Sequence, residues 1–126
     1  MVSDAWSERQ DMVSDLVSDE GTLRIIKQCR PPGQVLLELT GEADLRAEAA
    51  LCAVLAGLAA KPVVTDIHVD LSGLRFIDVA ATRSLVLAAA TLGPGRRMVV
   101  RGAPAAMRRT MEFCWADYTA LEVSSG

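Results

Sequence analysis

Ile67-His68-Val69-Asp70-Leu71-Ser72-Gly73-Leu74-Arg75-Phe76-Ile77-Asp78 runs directly into Val79-Ala80-Ala81-Thr82-Arg83-Ser84-Leu85-Val86-Leu87-Ala88-Ala89-Ala90-Thr91-Leu92. The first half reads as a buried strand that leaves through a short Ser72-Gly73 turn. The second half reads as a helix. Ala81, Leu85, Ala88, Ala89 and Leu92 recur at spacings of three and four, which makes one apolar stripe. Asp78 stands where a carboxylate can accept hydrogen bonds from the first free N–H groups of that helix, at the positive end of its dipole. Strand, tight turn and capped helix together form half of a βαβ unit.

The rest of the chain supports that junction. A length of 126 residues fits one domain with a real core. Of these residues 51% are hydrophobic but only 4% aromatic, so Leu, Val, Ile and Ala must build the core. That composition suits Ala-rich helices lying close on a sheet. A net charge of −3 gives no general attraction for nucleic acid. No stretch approaches the roughly 20 apolar residues of a membrane span. Asp4, Glu8 and Asp11 stand where a signal peptide needs basic and then apolar residues. The expectation is therefore a cytoplasmic protein with no membrane partner.

Taken in order, residues 1–20 carry six acidic side chains and one Arg, with Val-Ser-Asp repeated at Val2, Val13 and Val17. Residues 1–21 read as a mobile acidic tail, with Trp6 and Met12 as the residues that would dock on the domain if any do. The domain proper is expected over 22–123. Thr22–Gln28 and Gln34–Thr40 are β-rich runs joined by the turn signal Arg30-Pro31-Pro32-Gly33. Gly41-Glu42-Ala43-Asp44-Leu45 leads into a helix over 45–60, bounded by Pro62. Residues 63–71 form the third strand, 79–92 the second helix, 97–100 the fourth strand, 104–114 the third helix and 118–123 a final strand. The order ββαβαβαβ gives an α/β fold, a mixed central β-sheet with helices packed on it.

Gly41-Glu42-Ala43-Asp44-Leu45, followed in the right place by Val69-Asp70-Leu71-Ser72-Gly73-Leu74-Arg75-Phe76-Ile77-Asp78, resembles the STAS domain, the fold of bacterial anti-sigma-factor antagonists. The likeness covers about residues 22–123. It implies a non-catalytic module that binds an anti-sigma factor of the histidine-kinase-like ATPase type, with no cofactor and no metal. In the family, the Asp at the helix start is followed by a Ser or Thr that the partner kinase phosphorylates, which blocks the complex. This chain has Val79 and Ala80 there, and neither carries an acceptor oxygen. The resemblance therefore implies an antagonist held in its unphosphorylated form, with a partner-binding surface at Glu42, Asp44, Asp78, Val79, Ala80 and Thr82. The alternative is a signalling or scaffold module of the same fold that binds a sensor protein, a small ligand or itself.

Each of these residues also has a plainer reading. Asp78 and Asp44 serve as helix caps. Thr82, the first alternative phosphoacceptor ahead of Ser84, lies one turn beyond Asp78, where a threonine more often packs in a helix than meets a kinase. Asp70 and Asp78 suggest acid–base or metal chemistry only if further ligands gather beside them, and His68 is the sole histidine. Cys29, Cys52 and Cys114 form neither a CxxC pair nor a zinc pattern; they read as reduced thiols packed as small apolar residues, with a regulatory disulfide as the alternative. Arg96, Arg97, Arg101, Arg108 and Arg109 have no acidic residue among them. They read as a solvated face, or as a site for an acidic partner or for residues 1–20. Nucleic acid is disfavoured because no aromatics are interleaved. Phe113 and Trp115 read as the edge of the core.

Overall fold

The computed structural model describes residues 13–20, 23–115 and 121–124. Its strands are β1 (Val13–Glu20), β2 (Leu23–Arg30), β3 (Gln34–Ala43), β4 (Asp66–Ile77), β5 (Arg97–Arg101) and β6 (Leu121–Ser124). Its helices are α1 (Glu48–Ala59), α2 (Val79–Thr91) and α3 (Ala105–Cys114), with a 3₁₀ turn at Leu45–Ala47 ahead of α1. From Leu23 onward this is the ββαβαβαβ order read from the sequence. An additional strand precedes it.

The strands lie in one sheet in chain order, β1 to β6. The β1–β2 and β2–β3 pairs are antiparallel, and the next three pairs are parallel. Each parallel pair is joined by a crossover through one helix, and all three crossovers step the same way across the sheet. Right-handed crossovers then put α1, α2 and α3 on the same face. The core lies between that face and the helices. It joins Leu23, Ile25, Val35, Leu37, Leu39, Ile67, Val69, Leu71, Met98 and Val100 from the strands to Leu51, Leu55, Leu85, Val86, Ala89 and Met107 from the helices. The alternation along β4, with Ile67, Val69 and Leu71 all buried, follows from the two-residue period of a strand.

Three sequence expectations need correction. Val13–Glu20 is part of the sheet, so the domain begins well before residue 22. An acid-rich strand at a sheet edge is a recognised guard against edge-to-edge pairing, and its composition imitates a disordered tail. The ladder also slips between Leu16 and Ser18, which further hides the strand pattern. Residues 1–12 and 21–22, with Trp6 and Met12, lie outside the described residues.

Second, Ser72-Gly73 is not a turn. β4 continues to Ile77, and the register with β3 shifts between Glu38 and Thr40. Asp70 explains the local geometry: its Oδ1 accepts from the backbone N of Ser72 at 3.0 Å and from Ser72 Oγ at 2.7 Å. A side chain at Gly73 would stand 2.7 Å from Thr40 Cγ2 and 3.2 Å from Leu39 O, so glycine eases the close approach of β3. Third, Val63 is exposed and lies outside β4, which starts at Asp66.

His68 points to the sheet face opposite the helices, in register with Leu36 on β3 and Val99 on β5. Burial, followed by the charges of Arg101 and Arg97, lowers its pKa below the ordinary 6.5, and Asp66 and Glu122 oppose this only in part. The unfolded chain therefore binds the proton more readily than the folded one. Stability is fully present above pH 6.5 and falls as pH drops below it, toward the folded pKa. Urea unfolding from pH 7.5 to 5 should show this loss, and His68→Gln should flatten the His-dependent part of the slope.

Candidate functional site

β3 and β4 extend together beyond the sheet, with Glu42 in register with Phe76 and Ala43 with Ile77. The backbone N of Asp78 then donates to Ala43 O at 3.0 Å, which ties the start of α2 to the end of β3. Two caps consequently sit side by side at the carboxyl ends of adjacent parallel strands, the position where open α/β sheets place their sites. Asp78 Oδ1 accepts from Ala81 N at 2.8 Å and caps α2. Asp44 Oδ1 accepts from Arg46 N at 3.1 Å and caps the 3₁₀ turn; α1 itself starts three residues later than a helix from 45 would.

The carboxylates around this corner are engaged within the chain. Asp44 Oδ2 also pairs with the Arg46 guanidinium at 2.9 Å, and that hydrogen bond, then the charge, pushes the Arg46 pKa further up. Glu42 faces Arg75 at 3.9 Å in an exposed, solvent-screened pair. Asp70 is committed to Ser72, on the bulge of β4. Among the described residues, no three of His, Cys, Asp and Glu gather to hold a metal. No described helix is long and apolar enough to cross a membrane.

The structure brings Glu42, Asp44, Asp78, Val79 and Ala80 to one corner. Thr82 does not belong to that surface. It is 1% exposed, and its Oγ1 donates to Asp78 O at 3.0 Å. Its place on the buried side of α2, beside Leu85 and Val86, removes it both as a contact and as an accessible phosphoacceptor. The helical stripe is correspondingly wider than the one read from the sequence.

Apolar side chains give the corner its character. Leu45 is 72%, Phe76 50% and Val79 56% exposed. Phe113, which the sequence reading placed at the core edge, is 94% exposed, whereas Trp115 packs partly against the core. Leu45 and Phe76 went unnoticed because Leu45 falls on a 3₁₀ turn and Phe76 lies beyond the supposed end of its strand. Patches of exposed apolar residues with a polar rim mark protein or membrane contact sites and ligand grooves.

The basic stretch proves to be several separate structures. Arg96 is a clasp: its guanidinium donates to Val64 O at 2.8 Å, Lys61 O at 3.0 Å and Leu58 O at 3.3 Å, closing the end of α1. Arg97 lies 3.6 Å from Asp66 and 4.0 Å from Glu122. Arg108 and Arg109 are exposed on α3. The thiols are free as well: Cys29 packs against the core, but Cys52 and Cys114 are exposed, contrary to the packed reading.

Comparison with known proteins agrees with this fold. The structure is similar to an anti-sigma-factor antagonist from Mycobacterium paratuberculosis, with a TM-score of 0.68 and 20% identity over 90% of this chain and 92% of that one. It is also similar to the anti-sigma-factor antagonist SpoIIAA in its unphosphorylated form, with a TM-score of 0.66 and 17% identity over 81% of this chain and 88% of that one. The phosphorylated form of SpoIIAA, a Bacillus cell fate determinant, gives 0.63 and 17% over 80% and 91%. These identities speak for a common fold. No curated protein matches the chain. The family model described as Mlab, STAS domain matches residues 27–117, most of the described molecule, and the chain belongs to that STAS family.

Proposed function

We propose that this STAS domain is a non-catalytic, cytoplasmic regulatory module: an anti-sigma-factor antagonist that binds a kinase-type ATPase and is not switched off by phosphorylation at the start of α2. The observation that carries the reading is the exposed, uncharged first residue of α2, Val79, beside the capping Asp78. A phosphate there would add about −1.5 to −2 charges to a docking surface. Val79 and Ala80 provide no oxygen to receive one, and the nearest hydroxyl, that of Thr82, is buried. The solved anti-sigma-factor antagonists of the same fold support an anti-sigma factor as the partner, and its kinase type rests on the resemblance of the motifs.

Val79→Asp restores a negative charge at this spot without touching the core. Calorimetric titration with the partner ATPase should show affinity falling by roughly 10- to 100-fold, since like charge or unpaired desolvation at an interface centre costs a few kcal/mol. Unchanged affinity for a folded Val79→Asp protein would reject the surface. The match to the Mlab STAS family, whose description names no sigma pathway, favours a second reading in which the same corner serves a different protein, or a second copy of this chain. A stable dimer with no affinity for a kinase-type ATPase would select that reading.

A further inference from the structure

The sheet face opposite α1, α2 and α3 carries two apolar side chains that stand apart from the core. Leu36 on β3 and Val99 on β5 are 6% and 8% exposed, yet neither belongs to the core cluster. His68 on β4 lies in register between them, and Gln28 on β2 continues the same row. Gln28 Nε2 donates to Glu38 Oε1 at 3.1 Å, whereas Gln28 Oε1 is shut off from water and accepts from no described group. A buried amide oxygen needs a donor, because its lost hydration is otherwise uncompensated. The row is thus largely apolar, secluded from water and short of one hydrogen bond, on the side of the sheet where no described helix packs.

The sequence ahead of β1 fits this row in reach and in character. Val13 pairs with Cys29, and that row continues through Val35, Ile67 and Met98. The residues before Val13 therefore meet the sheet edge one row away from Gln28, Leu36, His68 and Val99. From Val13 back to Trp6 an extended chain spans roughly 23 Å. At the usual strand spacing, β3 and β5 lie only about 10 and 19 Å from β1. Val2, Trp6 and Met12 supply apolar surface, and Asp4, Glu8 and Asp11 supply negative charge. The carboxylates of the face are already engaged, Asp66 and Glu122 by Arg97, Glu38 by Gln28 and Asp70 by Ser72. Arg101, in register with Asp70, makes no ion pair among the described residues.

We propose that residues 1–12 dock in cis across this face, with Trp6 seated over Leu36, His68 and Val99, an N–H of the segment donating to Gln28 Oε1, and Asp4 beside Arg101. The contact needs no partner protein, so it stands or falls apart from the Val79 corner. His68 is the sole histidine, and its carbethoxylation by diethylpyrocarbonate reads the cover directly. In the full chain at neutral pH, Trp6→Ala should speed that modification by roughly tenfold or more, because the rate follows the population of the uncovered state. In the full-length Trp115→Phe variant Trp6 is the sole indole. Its emission should lie to the blue of N-acetyltryptophanamide and its quenching by acrylamide should be slowed severalfold, both unchanged on dilution. A Trp6 that emits and quenches as a free indole overturns the proposal. So does His68 reactivity that is the same in the parent and Trp6→Ala chains, which would put any docking elsewhere. Shielding that is lost on dilution would assign the cover to a second copy of the chain and overturn docking in cis.

Discussion

Gly102→Ala is expected to lower the stability of the domain by about 2–5 kcal/mol, a fall in Tm of roughly 10 °C or more. Gly102 has φ +68°, and a Cβ there would stand 2.9 Å from both Cβ and N of Ser72. Two costs therefore add. The left-handed backbone costs an alanine about 1–2 kcal/mol. The close contact forces a backbone shift of the kind that costs about 1–3 kcal/mol in packed interiors. Gly95→Ala separates the terms, because Gly95 has φ +79° with nothing within 4 Å. It should lose only the conformational part, about 1–2 kcal/mol. Equal losses for the two variants in thermal unfolding would refute the contact. The site is relevant to function, since Ser72 is the bulged residue of β4 that leads toward Asp78.

Arg96→Ala should cost about 2–3 kcal/mol, as expected for losing charge-assisted hydrogen bonds to three carbonyls, two of which, Leu58 O and Lys61 O, also accept from a backbone N–H. The guanidinium reaches Leu58 O and Lys61 O at the end of α1 and Val64 O ahead of β4. Arg96→Lys should recover less than half of the loss, since an ammonium cannot fork across three separated acceptors. Arg108→Ala, on the exposed face of α3, should stay within about 0.5 kcal/mol of the parent. Urea unfolding of the three variants checks the ranking; a neutral Arg96→Ala would mean that water satisfies those carbonyls equally well.

These residues show where sequence reading succeeds and where it stops. The βαβ core was legible because Ile67, Val69 and Leu71 alternate and Ala81, Leu85 and Ala89 recur at helical spacing, and both periods follow directly from backbone geometry. Asp78 and Asp44 were legible as caps because a short carboxylate before an apolar repeat has few other uses. β1 was not, since acidic residues on an edge strand suppress the signal that defines a strand. Ser72-Gly73 looked like a turn, because the same residues serve a bulge as well as a reversal. Arg96 and Arg97 are adjacent in sequence and opposite in use, one a helix clasp and the other paired across the sheet. Only the tertiary fold distinguishes them. Thr82 was legible in its burial but not in its removal from the partner surface, and Phe113 depended on the orientation of α3, which composition does not encode.

On the proposed reading, the start of α2 offers no hydroxyl through which a phosphate could switch it off, since Val79 and Ala80 stand there. The most direct measurement is the affinity of the full chain for the proposed kinase-type ATPase before and after prolonged incubation of the pair with ATP, with the intact mass of the chain followed in parallel. On that reading, no added phosphate on this chain and an unchanged dissociation constant are expected. A phosphorylated chain with weakened binding would contradict it, and would place an acceptor outside the Val79-Ala80 corner.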